Sequence, residues 1–303
     1  MRIAIATFLL VIAAFAGRAE GLDERAVQLP AYASIPRIGW YATPEEFEKA
    51  RRDARFRFTR VSYKSDELTV FAYVYAPAET PKVKLPVIVY NRGSYLWKEF
   101  AGEYLTLFHR LASAGFVVVA PMYRESGGAA GRDEMGGADL NDLLNITSVI
   151  RQLPAANPEL VFMYGESRGG MMTYQAIREH FPMLAAAVYG GFTDLRPLAD
   201  PGGPGAQIAL KLWPDYAERR NEIAKRRSAI EWADKFETPV LIMHGGADGN
   251  VSPSHALALA AKLQELGKPY QLIIRAGGDH HLGGWLAERD AQAVEWFRRH
   301  MPK

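Results

Sequence analysis

Residues 162–174 read Phe-Met-Tyr-Gly-Glu-Ser-Arg-Gly-Gly-Met-Met-Thr-Tyr, with Ser167 hemmed in by Gly165, Gly169 and Gly170 directly after an apolar run. Glycine is a poor interior residue of strands and helices, so three around one hydroxyl indicate a bend that side chains would obstruct. Residues 160–164 (LVFMY) have the character of a buried strand, and a helix is expected from about residue 169 to 181. Gly165-Glu166-Ser167-Arg168-Gly169 therefore fits G-x-S-x-G in a strand–turn–helix setting. There the serine oxygen projects above the sheet, and the helix N-terminus supplies partial positive charge where a negative intermediate would form.

The chain on either side keeps the same rhythm. Apolar strand-like runs fall at 85–90, 116–121, 160–164, 185–189, 239–243 and 270–274. Helix-like segments near 103–114, 139–153, 169–181, 255–267 and 288–301 alternate with them. Buried strands alternating with amphipathic helices predict an α/β fold, a mainly parallel twisted sheet with helices on both faces. Ahead of it, 56–63 and 68–75 alternate around Ser65-Asp66-Glu67 and predict an antiparallel hairpin. Residues 20–55 read as a leader, and the basic run between Lys49 and Lys64 as a solvated strand face. Residues 194–236 open with Pro197, Pro201, Gly202, Gly203, Pro204 and Gly205 and hold no strand pattern. They are expected to cross one end of the sheet and shape a pocket.

A serine hydroxyl needs a base to become a nucleophile, and in this architecture the chain order is serine, acid, histidine. Strand 239–243 is followed by His244-Gly245-Gly246-Ala247-Asp248, and strand 270–274 by Gly277-Gly278-Asp279-His280-His281. Asp248 as acid and His280 as base fall on loops after later strands, at the carboxyl edge of the sheet. His281 is the alternative base. Asp279 is adjacent to His280 and so poorly placed to face it, and His244 is expected to hold the acid loop. Oxyanion donors are expected from the N–H of Arg168 and from Asn91 or Arg92, after strand 85–90. Tyr95, Trp97, Phe100 and Trp213 are candidate pocket aromatics or core residues. Glu166 is a candidate for a substrate ammonium group, or for an ion pair with Arg168.

The 303 residues are 49% hydrophobic and 23% charged, enough for one large α/β domain, and the net charge of +2 argues against a nucleic-acid or anionic membrane partner. Met1-Arg2, an apolar run from Ile3 to Phe15 and then small residues have the order of a secretory signal over residues 1–19, with Ala14-Phe15-Ala16 or Gly17-Arg18-Ala19 as cleavage site. The chain is expected to be exported and to leave the membrane once the signal is cut. With zero cysteines, disulfides, thiolate nucleophiles and thiolate metal ligands are excluded. No metal or organic cofactor is implied.

From about Phe56 to Phe297 the chain resembles the α/β-hydrolases, and among them the catalytic domain of the prolyl oligopeptidase family of serine peptidases. The resemblance rests on Tyr75-Ala76-Pro77, on PVIVYNRG at 86–93, on the GESRGGMMTY elbow at 165–174, on TPVLIMHGGADGNV at 238–251 and on GKPYQLIIRAGGDH at 267–280. It implies Ser167 as nucleophile, Asp248 as acid, His280 as base and a short peptide as substrate. Large members of that family carry a β-propeller before the catalytic domain, and the residues ahead of Phe56 are too few for several blades. The oxyanion loop has Asn91 and Arg92 where relatives often have tyrosine or His-Gly. Ester hydrolysis through the same triad is the second expectation, and a non-catalytic binding protein the third.

Overall fold

The computed structural model describes residues 22–95, 101–203 and 205–303, so the expected signal segment, Trp97 and Phe100 lie outside the described residues. Nine strands form one sheet: β1 (Glu24–Ala26), β2 (Phe56–Ser65), β3 (Leu68–Pro77), β4 (Leu85–Asn91), β5 (Val117–Pro121), β6 (Ala156–Glu166), β7 (Ala185–Tyr189), β8 (Val240–Gly245) and β9 (Tyr270–Arg275). Their order is β1-β2-β3-β5-β4-β6-β7-β8-β9. The pairs from β1 through β3 to β5 are antiparallel, and all pairs from β5 through β4 to β9 are parallel. This is the α/β-hydrolase arrangement with an N-terminal antiparallel hairpin. Ser65 pairs with Leu68, so Asp66 and Glu67 alone make the turn, and Asp66 takes a left-handed φ of 51°.

Side chains alternate across each strand and divide the core in two. Val87, Val89, Val161 and Met163 face one layer, whereas Ile88, Tyr90, Phe162 and Tyr164 face the other. The first layer holds α3 (Leu140–Leu144), α4 (Thr147–Gln152), α5 (Arg168–Arg178), α7 (Tyr216–Arg227) and α8 (Ser254–Glu265). The second holds α1 (Pro44–Arg52), α2 (Ala101–Ser113) and α9 (Leu286–Arg299).

Three elements differ from the sequence reading. The segment read as a leader contains β1, which extends the sheet, and α1, which buries Phe47 and Ala50. The helix signal was present in Thr43-Pro44-Glu45-Glu46. Thr43 accepts the Glu46 N–H at 3.2 Å, and Glu46 accepts the Thr43 N–H at 2.9 Å, a capping box with proline at the first helical position. The basic run from Lys49 is accordingly half helix and half strand. The expected helix 139–153 is broken into α3 and α4, and at the break the Tyr63 hydroxyl donates to the Asp142 carbonyl at 2.6 Å. Ile146 N–H turns to Leu143 O instead, tightening the chain there. Residues 194–236 contain no strand among the described residues, but they carry α6 (Ala206–Leu212) as well as α7.

Candidate active site

The parallel strands β6, β8 and β9 end at the same edge of the sheet, and their carboxyl ends carry Glu166-Ser167, the Asp248 loop and the His280 loop. Ser167 has φ 52° and ψ −118°, a conformation that a residue with a β-carbon rarely adopts. Backbone bonds on both sides impose it: Ser167 N–H donates to Tyr189 O at 3.0 Å, and Ser167 O accepts from Gly170 N–H at 3.0 Å. The glycines serve the close approach around the turn. A methyl on Gly169 would overlap the Asn91 carbonyl, and one on Gly165 would lie 2.7 Å from Gly169 O.

His280 Nδ1 donates to Asp248 Oδ2 at 2.7 Å. Burial would raise the pKa of Asp248. Hydrogen bonds from His244 and His280, the charge of His280 and the Val251 N–H outweigh it and hold the carboxyl well below its usual range. The ionised group also accepts the Asn250 and Val251 N–H at 2.8 and 2.9 Å. His244 Nε2 lies 2.9 Å from Val251 O and 3.1 Å from Asp248 Oδ2, bracing the acid loop. The side chain of Asp279 turns back to accept the Gly283 N–H at 2.8 Å. Gly190, at the end of β7, lets the imidazole in: a β-carbon there would stand 3.1 Å from His280 Nδ1. Sequence reasoning missed Gly190, whose only signal was a glycine pair after a buried strand.

Ser167 and His280 line one cavity of about 560 Å³. Its walls are largely apolar and include Trp40, Tyr95, Met135, Phe192, Leu198 and Ile208. Leu198 and Ile208 come from the 194–236 excursion, and Trp40 from the segment before α1. Trp213 is elsewhere, 1% exposed in the core beneath the Arg227 guanidinium. Asn91 or Arg92 was expected to supply a donor from either backbone or side chain, and their side chains are engaged elsewhere. Asn91 Nδ2 donates to Thr173 Oγ1 at 2.8 Å, and Arg92 donates to Met122 O, Ser94 O and Ser126 Oγ at 2.8 to 3.3 Å. Gly93, Ser94 and Tyr95 take the place in the wall, with the Gly93 backbone so close that a β-carbon would touch Ser167 Cβ at 3.4 Å.

Glu166 and Arg168 are not paired with each other. Glu166 continues the face of Phe162 and Tyr164, while Arg168 lies past the turn on the opposite layer. Arg168 donates to Asp133 at 2.6 and 2.8 Å and to Asp139 at 2.6 Å, tying the elbow to the loop that carries Met135. Its own N–H, at the first helical position, has no intrahelical acceptor. Glu166 Oε1 accepts from Tyr41 at 3.2 Å and His281 Nδ1 at 2.9 Å, and Oε2 from Tyr90 at 2.8 Å and Tyr104 at 3.0 Å. Burial would raise its pKa. The hydrogen bond and charge of His281, then the Tyr90 hydroxyl and the Arg289 charge, outweigh that and pull it down to about 2.

The prolyl oligopeptidase family model matches residues 104–303, which include Ser167, Asp248 and His280. The chain belongs to the prolyl oligopeptidase family of serine peptidases. This family member is 29% identical over 163 residues to the uncharacterized peptidase YtmA of Bacillus subtilis, covering 54% of this chain and 63% of that protein. Dipeptidyl-peptidase 5 of Porphyromonas gingivalis is 23% identical over 71% of this chain and 33% of its own length. The chain thus spans between a third and two thirds of these relatives. Pyrococcus horikoshii acylaminoacyl peptidase shares the fold with a TM-score of 0.69 at 22% identity, over 86% of this chain and 44% of that one. A puromycin-hydrolyzing peptidase of Mycobacterium tuberculosis does so at 0.65 and 22%, over 80% and 39%.

Proposed function

We propose that the protein is a serine hydrolase that cleaves short peptides through an acyl-enzyme. The observation that carries this reading is the 2.7 Å bond from His280 to Asp248 at the wall of the cavity that Ser167 enters from a strained turn. Ser167 attacks the scissile carbonyl while His280 takes its proton. Asp248 holds the tautomer with Nε2 free and stabilises the imidazolium. The Arg168 N–H and the Gly93 backbone are the oxyanion donors, each contributing about 3 kcal/mol to the transition state. His280 returns the proton to the leaving group, and water releases the acyl product by the same route.

Glu166 does not serve as the ammonium-binding group that its sequence position offered. Both of its oxygens are already hydrogen-bonded, so it offers a substrate ammonium group no open acceptor. The apolar walls favour a second reading, a carboxylesterase acting on short acyl esters through the same triad.

Ser167→Ala is expected to abolish turnover and labelling by a fluorophosphonate while leaving the thermal midpoint within a few degrees. Normal turnover by this variant would end the assignment. A panel of acyl-blocked amino-acid anilides, free dipeptidyl anilides and p-nitrophenyl butyrate separates the readings. Strong anilide turnover decides for the peptidase, ester turnover alone for the esterase. We also propose export, on the order of charged, apolar and small residues in the first nineteen positions. Mass spectrometry of the mature amino terminus tests it.

A further inference from the structure

Ser167 and His280 stand on β6 and on the loop after β9, and two strands, β7 and β8, separate these in the sheet. The ladders β6–β7–β8–β9 set the spacing of these strands, but none joins the two residues directly, so contacts above the sheet edge add to their alignment. One such contact joins their immediate neighbours: His281, next to the base, donates from Nδ1 to Glu166, next to the nucleophile, at 2.9 Å. We propose that Glu166 and His281 form a positioning clamp that sets the Ser167 hydroxyl against the His280 imidazole. This rests on the reading of Ser167 and His280 as nucleophile and base.

Both halves of the clamp are held from behind. Glu166 is 1% exposed, and the Tyr41, Tyr90 and Tyr104 hydroxyls occupy its remaining acceptor positions. Rotating the carboxylate would strand several buried donors at once, so its orientation is fixed. Trp40 stacks on the His281 ring at 4.9 Å between centroids, and Tyr41 meets its edge at 5.1 Å. The His281 carbonyl accepts from Arg289 Nη1 at 2.7 Å, and Arg289 is paired to Asp290 at 2.8 Å on α9. The segment before α1 thus reaches the catalytic edge through Trp40 and Tyr41. A shift of the histidine loop by one ångström is enough to cost about a hundredfold in rate.

The test uses the full chain with p-nitrophenyl butyrate, and Ser167→Ala alongside. His281→Ala is expected to lower kcat about 10- to 100-fold with KM within about twofold. His281→Asn, whose amide nitrogen stands where Nδ1 does, should recover most of that loss. Glu166→Gln should lower kcat similarly, and Glu166→Gln combined with His281→Ala should be no worse than the poorer single variant. If Glu166→Gln does not fold, the alanine and asparagine variants at 281 decide by themselves. Unchanged kcat in His281→Ala, a loss confined to KM, or equal losses in alanine and asparagine would each overturn the clamp. An inactive Ser167→Ala beside a fully active His281→Ala removes the clamp and leaves the nucleophile standing. A fully active Ser167→Ala removes both.

Discussion

At the scale of single residues, the elbow depends on atoms that are missing. Gly169 packs against the Asn91 carbonyl so closely that a methyl has no room, and the neighbour is backbone of β4, which cannot move without disturbing the sheet. Gly169→Ala is therefore expected to destabilise the protein by about 3 kcal/mol and to displace Ser167. Urea denaturation measures the first effect and fluorophosphonate labelling the second. Wild-type values for both would mean that the elbow has slack. Ser167 itself keeps a left-handed φ because β7 and α5 grip its amide and carbonyl.

At the scale of elements, helix α2 brings polar groups behind the site through Glu103 and Tyr104. Glu103 on α2 is 4% exposed, and its Oε2 has no hydrogen-bond partner among the described residues. Burial, and after it the negative charge of Glu166, raises its pKa to about 8. The folded state keeps a proton that the unfolded chain releases, so this group makes the fold less stable as pH rises from about 4.5 to about 8. Between pH 5 and pH 8 the wild type should lose at least about 2 kcal/mol relative to Glu103→Gln. Urea midpoints of both proteins at the two pH values check it, and parallel curves would refute the buried proton.

At the scale of the whole molecule, the segment before β2 is part of the domain. Asp23 O accepts the Ser62 N–H at 3.2 Å, and β1 pairs with β2 from Glu24 onward. Cleavage after residue 16 or 19 would leave these contacts whole. If the proposed signal is cut at either site, the mature protein begins at residue 17 or 20 and is expected to melt with the full-length chain. A mature chain that retains Met1 would count against export.

The strand–helix alternation, the elbow, the acid loop and the histidine loop were legible in the sequence. Each is a local pattern: apolar periodicity makes the buried strands, and glycine spacing makes the turn, so short stretches determine them. The capping box of α1 was equally local and was missed inside a segment read as a leader. What only the tertiary structure decided is partnership. Glu166 and Arg168, two residues apart, face opposite layers, because the chain turns from strand to helix between them. Their partners, Tyr41, Tyr90, Tyr104 and His281 for one and Asp133 and Asp139 for the other, lie 29 to 125 residues away. Such pairings carry no periodic signal, because burial on one face or the other of the finished sheet selects them.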